Sequence, residues 1–408
     1  MTSSRTAIPP SRALQFALRK TTETLAKELV RPTREPPQWS ESEWRVAKAV
    51  AVMHGVSPLL ATRLRWTGPD DWQQFLKQQR SHTANRHTRI EELLRLLDRH
   101  TREEGIVAVA LKGAALHAMG VYVSGERPMA DVDLLVRPSD AERTARMLVS
   151  LGFHESSASW KERVFTPIGN CAISPLGEHA NSHIKIELHE RICEKLPWRL
   201  SDLSEVVFPV RSSPGLNDYP STTALMLHLV LHAAGAMVSQ SLRLLQLHDI
   251  ALLSARMTEQ DWNEVLRQAA GGRLWWALPP LQLTARYYDS TIPRHILNVL
   301  LRPCPLMLRK LFMRRALTDV SYSHLRIDAF PGIEWSQSAP LLLRYVFSRI
   351  RPTAEHMTQR KNSAQSGWAA GSEWSTLPQS RRIVHWLTSR QSRPVTMHAV
   401  RAAFAEAR

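Results

Sequence analysis

What most limits the folds open to this chain is a change of texture at Gly105. Before it, apolar residues recur at helical spacing; after it they alternate as in strands, and beyond Ser221 the helical spacing returns. Residues 106–111 (IVAVAL) form a short apolar run between Gly105 and Gly113, which predicts a buried strand. A short helix over 114–119 and a turn-rich loop, 124–128, lead into residues 131–136 (DVDLLV), a second predicted strand. Pro138 suits the first position of a helix over 139–151, closed by Gly152. Residues 163–166 and 171–174 are weaker strand candidates, and 184–191 (IKIELHER) alternates strongly. This order predicts a small mixed α/β unit.

The flanks read as helices. Residues 42–53 predict one, closed near Gly55, and 88–102 another, with Ile90, Leu93, Leu94 and Leu97 on one face and Gly105 as its C-terminal stop. Residues 223–233, 242–253, 262–270 and 292–316 continue the pattern, the last interrupted by Pro303 and Pro305. At ~150 residues per domain, 408 residues allow two or three domains. The boundaries read as a helical region 1–104, an α/β unit 105–210, a helical domain 211–350, and a linker with a basic helical tail, 351–408. The polar stretch 352–380 is the expected linker.

Composition narrows the partners. Fifty-three Lys and Arg against 37 Asp and Glu give +16, which favours nucleotides, nucleic acid or acidic surfaces. Cys171, Cys193 and Cys304 are odd in number and far apart, which argues against a disulfide framework or cysteine zinc site. The longest apolar stretch, 224–238, contains His228 and His232 and is too short to span a bilayer comfortably. A cytoplasmic protein with no membrane partner is expected. The tryptophans form no stripe with arginines. Arg381, Arg382, Arg390, Arg393 and Arg401 make the tail basic, so nucleic acid is a secondary partner reading.

Three carboxylates carry the chemical signal. Strand alternation puts Asp131 and Asp133 on one face, with Val132, Leu134 and Val136 behind, and puts Lys185, Glu187 and His189 on one face of the later strand. If the strands are neighbours, Asp131, Asp133 and Glu187 converge, and their mutual repulsion calls for a cation, most economically Mg²⁺. Lys112-Gly113-Ala114 stands where a strand hands over to a helix, and Gly113 permits close backbone approach by a phosphate. His228, His232 and Asp249 have zinc-compatible spacing, but buried, hydrogen-bonded histidines are the simpler reading. Arg243 and Asp249 are six apart, too far to face each other on one helix; either reaches instead toward the sheet.

The order strand, LKG turn, helix, RPMADVDLLV, helix and later Glu-bearing strand resembles the DNA polymerase beta-like nucleotidyltransferase superfamily, most closely its bacterial branch of uncharacterised nucleotidyltransferases. His54-Gly55-Val56-Ser57-Pro58, Leu151-Gly152-Phe153, Glu187–Arg191, the His228/His232 helix and residues 242–250 extend the likeness over roughly residues 45–255. The resemblance implies an α+β fold: a small mixed-sheet nucleotidyltransferase palm with helical N-terminal and C-terminal regions. It implies that Asp131, Asp133 and Glu187 hold Mg²⁺ (Mn²⁺ as the alternative) and are catalytic, Glu187 assisting deprotonation of the acceptor. Lys112, Gly113, Ala114, Arg127, His189 and Asp249 would bind substrate, with Lys112 and Arg127 on phosphate. The implied reaction moves a nucleoside monophosphate from an NTP to a small-molecule or protein acceptor and releases pyrophosphate. Ala114 stands where most active members carry Ser or Gly, which motivates a rival: a catalytically silent nucleotide-binding or protein-interaction module of the same fold. Glu187 turned from the aspartates, or a salt bridge filling the cleft, would break the enzymatic reading.

Overall fold

The computed structural model describes residues 7–405 apart from 170, 172–173, 175, 198, 290, 353–376 and 389–390. Four helices come first: α1 (Ser11–Val30), α2 (Glu41–Met53), α3 (Ser57–Arg63) and α4 (Asp70–Glu103). Ser40 and Glu43 cap α2 reciprocally, each side chain accepting from the other's backbone N–H. The second helix predicted from sequence is longer than expected. Helix α4 starts at Asp70 rather than residue 88, because its buried stripe runs through Gln79, Thr83 and Arg86, polar residues that hide the periodicity.

The central sheet has six strands in the order β3-β4-β5-β2-β1-β8. They are β1 (Val107–Ala110), β2 (Asp131–Val136), β3 (Phe153–Ala158), β4 (Arg163–Pro167), β5 (Lys185–His189) and β8 (Gly215–Asn217). A separate hairpin pairs β6 (Cys193–Leu196) with β7 (Arg199–Asp202). Strand β2 runs antiparallel to β1 and parallel to β5, so the sheet is mixed and the fold α+β, as expected. Helix α5 (Gly113–Ala118) follows β1, and α6 (Ala141–Ser150) follows β2 after a single tight turn at Pro138–Asp140.

Each sheet face has its own core. Val132, Leu134 and Val136 join Ile184, Ile186 and Leu188 in packing on Ile90 and Leu97 of α4 and Leu148 of α6. On the opposite face Val109 and Leu135 join a larger core with helices α8 (Thr222–Val238) and α9 (Leu244–Ser254). Strand β8 lies past residue 210, so the sheet reaches beyond the boundary drawn there.

Further on are α7 (Ser204–Val207), α10 (Glu259–Gln268), α11 (Leu278–Tyr287), α12 (Arg294–Leu301), α13 (Leu306–Phe312), α14 (Ala339–Ile350), α15 (Gln379–Thr388) and α16 (Pro394–Ala405). The break between α12 and α13 contains Pro303 and Pro305, as the sequence requires. Helix α16 packs on α2. Most of the expected linker lies outside the described residues, as do two residues of the strand candidate 171–174, whose ends, Cys171 and Ser174, are in no strand. None of Cys171, Cys193 and Cys304 is in a disulfide. Among the described residues no helix is long and apolar enough to cross a membrane.

Candidate functional site

Strand alternation and register bring two carboxylates face to face. In the parallel β2–β5 pair Asp133 stands opposite Glu187, and Asp131 opposite Lys185. Arg86, buried inside α4, fixes this register. Its guanidinium donates to the carbonyls of Met129 at 3.0 Å and Ser182 at 2.9 Å, just before the two strands, and pairs with Glu178 at 2.8 Å. One cation thus ties both strand entrances together.

Asp133 Oδ1 accepts twice, from Lys112 Nζ at 2.7 Å and from His189 Nε2 at 3.0 Å. Burial alone would raise the Asp133 carboxyl, but Lys112 and His189 outweigh it and hold it well below the usual carboxylate range. Burial and the Asp133 charge push Asp131 up. Burial and the charges of Asp131 and Asp133 push Glu187 to about 9. Only one aspartate has its charge fully compensated, and Glu187 holds a proton at neutral pH.

Lys112, expected as a phosphate contact, is turned onto Asp133. Its backbone has φ +46° and ψ −107°, a conformation an L residue rarely adopts. The Tyr219 hydroxyl accepts from the Lys112 N–H at 3.2 Å and donates to His228 Nδ1 at 2.7 Å, which anchors the turn. Arg127, the other expected phosphate contact, is bidentate to Asp249 at 2.9 and 2.8 Å. Asp249 also accepts from the Tyr122 hydroxyl at 2.6 Å, so it reaches the cleft as a buried anchor for Arg127. Gly113 is required by this packing. A Cβ there would meet Arg127 Nη1 and lie 2.6 Å from Met129 Sδ. Ala114 is buried, and its N–H bonds the Leu111 carbonyl at 3.2 Å.

An ion pair therefore stands in the cleft without filling it. A cavity of about 290 Å³ remains, lined by Asp131, Asp133 and Glu187 and by Arg243, Gln246 and Tyr322. Ligand atoms of Asp133, Glu187 and His189 lie within 4.8 Å of one another, the one such group among the described residues; Asp131 lines the cavity but stands outside it. Two carboxylates and an imidazole, with Glu187 holding a proton for want of positive charge, suit a divalent cation.

The zinc alternative does not assemble. His228 is bonded to Tyr219, and His232 lies 3.7 Å from Glu194, while Asp249 belongs to Arg127 and Tyr122. Burial and the Lys112 charge push His232 down to about 4. The basic tail is also less free than its composition suggests. Arg382 is buried, and Arg393 donates to the carbonyls of Gln240 at 2.5 Å and Ser321 at 3.1 Å; Arg390 lies outside the described residues. Arg86, Tyr122 and Tyr219 carry no sequence signal of their roles.

A strand-borne carboxylate pair, a glycine turn and flanking helices on a mixed sheet define a nucleotidyltransferase-type α+β protein. The chain belongs to the family described as uncharacterised nucleotidyltransferase, whose model matches residues 40–288. No curated protein and no solved structure matches it.

Proposed function

We propose that the chain is a divalent-metal-dependent nucleotidyltransferase with a polymerase beta-like palm drawn over residues 105–210 and completed by β8, acting in the cytoplasm. It transfers a nucleoside monophosphate from an NTP to a small-molecule or protein acceptor. The acceptor's oxygen or nitrogen bonds to the α-phosphorus, and the bond from that phosphorus to the pyrophosphate oxygen breaks. The observation that carries the reading is the in-register pair Asp133–Glu187, lining an open cavity together with Asp131. Asp133 and Glu187, with Asp131 alongside, would hold Mg²⁺ or Mn²⁺, which neutralises phosphate charge when bound. Glu187, as a carboxylate on that metal, would assist deprotonation of the attacking group.

Pyrophosphate release from each NTP, with Mg²⁺ and a cell extract supplying acceptors, tests this. The parent protein should turn over one or more NTPs, and Asp131→Asn together with Asp133→Asn should abolish it. Because Asp133 carries Lys112, Asp131→Asn alone is the cleaner variant, and circular dichroism checks the fold. Full turnover in the double variant would remove the assignment.

The ion pairs already made by Lys112 and Arg127, with Ala114 at the turn, favour a second reading: a silent module that binds nucleotide or a partner protein. It predicts NTP binding without Mg²⁺ and no pyrophosphate. A nucleic-acid acceptor would instead show as polynucleotide binding that falls steeply with salt.

A further inference from the structure

Two of the three cations on the cavity wall are committed to carboxylates of the protein: Lys112 to Asp133 and Arg127 to Asp249. The third is Arg243. It lines the same cavity, is exposed to solvent, and has no ion-pair partner among the described residues. Its backbone is nevertheless fixed from three sides. The Arg243 N–H donates to Gln246 Oε1 at 2.8 Å, and the next N–H, of Leu244, donates to His54 Nδ1 at 2.9 Å. The preceding N–H, of Leu242, donates to the Val320 carbonyl at 3.2 Å. The guanidinium sits over the Tyr322 ring, Cζ 5.6 Å from its centroid, and Arg393 approaches the same ring at 5.7 Å.

We propose that Arg243, steadied by Tyr322, is the cation that takes the triphosphate of the nucleotide. This rests on the nucleotidyltransferase reading. A guanidinium on a fixed backbone, over an aromatic ring and in no ion pair among the described residues, although its charge is felt by Asp131 and Glu178, is suited to bidentate phosphate recognition. Tyr322, which lines the cavity, lies outside residues 40–288, so the C-terminal region contributes to the phosphate-binding wall rather than merely following the catalytic unit.

Calorimetric titration with inorganic tripolyphosphate, ATP and adenosine, all in Mg²⁺, tests the assignment on the full chain. Arg243→Gln should weaken tripolyphosphate and ATP by about tenfold or more and leave adenosine unchanged. Arg243→Lys should recover part of the loss. Tyr322→Leu should weaken tripolyphosphate on its own but add little in the Arg243→Gln background, since it acts through Arg243. The melting temperature of each variant checks the fold. If the parent binds tripolyphosphate and Arg243→Gln binds it within about twofold, the assignment is overturned. A parent protein that binds neither NTP nor tripolyphosphate would overturn the nucleotidyltransferase reading itself, and this inference with it.

Discussion

The Lys112 ammonium lies 2.7 Å from Asp133 Oδ1, on a residue whose backbone is held at φ +46°. A strained backbone and a buried ion pair meet in one side chain, so the turn is held in place by the charge it delivers. Lys112→Met removes the cation and keeps the strain; it should cost about 3–5 kcal/mol, because Asp133 is left buried and unpaired. Lys112→Gly removes both and should cost less, by about 1 kcal/mol or more. Urea unfolding with and without Mg²⁺ measures this. If a divalent ion replaces the ammonium at Asp133, Mg²⁺ should stabilise Lys112→Met more than the parent.

Glu187 supplies the pH dependence. Its carboxyl moves from an ordinary 4.5 to about 9, by burial and by Asp131 and Asp133. Between those values the folded protein holds a proton that the unfolded chain has lost. This contribution to stability is therefore complete below 4.5 and lost as pH rises through about 9. A bound cation reverses the preference, since Glu187 must ionise to ligate it. Metal affinity should climb with pH toward 9, and binding near neutrality should release about one proton per ion. Calorimetry in two buffers of different ionisation enthalpy counts that proton, and Glu187→Gln should abolish its release.

The two faces of β2 and of β5 were legible in the sequence because strand alternation is a local rule; that the strands are neighbours was not. DVDLLV and IKIELH each divide into a carboxylate face and an apolar face, and the structure pairs them with Asp133 opposite Glu187. Strand β3 (FHESSA) was not legible. It is a sheet edge, mostly exposed, and needs no apolar alternation to pair with β4. Strand β8 is three residues long, below any periodic signal, and is located by its parallel pairing with β1. Lys112 and Arg127, which the resemblance puts on phosphate, are paired with Asp133 and Asp249 through contacts 21 and 122 residues apart, beyond the reach of any local pattern. Arg86 inverts the usual expectation, a charged residue within the helix stripe that serves as the strands' anchor.

His54 links the α2–α3 corner to the start of α9 and should make the protein acid-sensitive. Its Nδ1 accepts from the Leu244 N–H at 2.9 Å, so Nε2 carries the hydrogen it donates to Ser323 Oγ at 3.0 Å. Burial and the Arg243 charge push it from 6.5 to about 3. The folded protein keeps it neutral while the unfolded chain takes up a proton, so this stability is present above 6.5 and lost as pH falls toward 3. The unfolding free energy from denaturant titrations between those limits should fall by up to about 1.4 kcal/mol per pH unit for this group. His54→Gln should flatten the slope while lowering stability at neutral pH.

Gly113 tests whether the cleft is assembled around Arg127. The added Cβ of Gly113→Ala would meet the Arg127 guanidinium, which Asp249 holds at 2.9 and 2.8 Å, and would lie 2.6 Å from Met129 Sδ. Something must move, and overpacking of this kind costs about 1–3 kcal/mol. A rotated arginine would abandon a buried carboxylate, so the cost should sit at the upper end. Asp249→Asn loosens the arginine beforehand, and the two substitutions together should cost less than their sum by about 0.5 kcal/mol or more. Strict additivity in a double-mutant cycle would mean that Gly113 is needed for Met129 alone, and that the turn and the Arg127–Asp249 pair are independent.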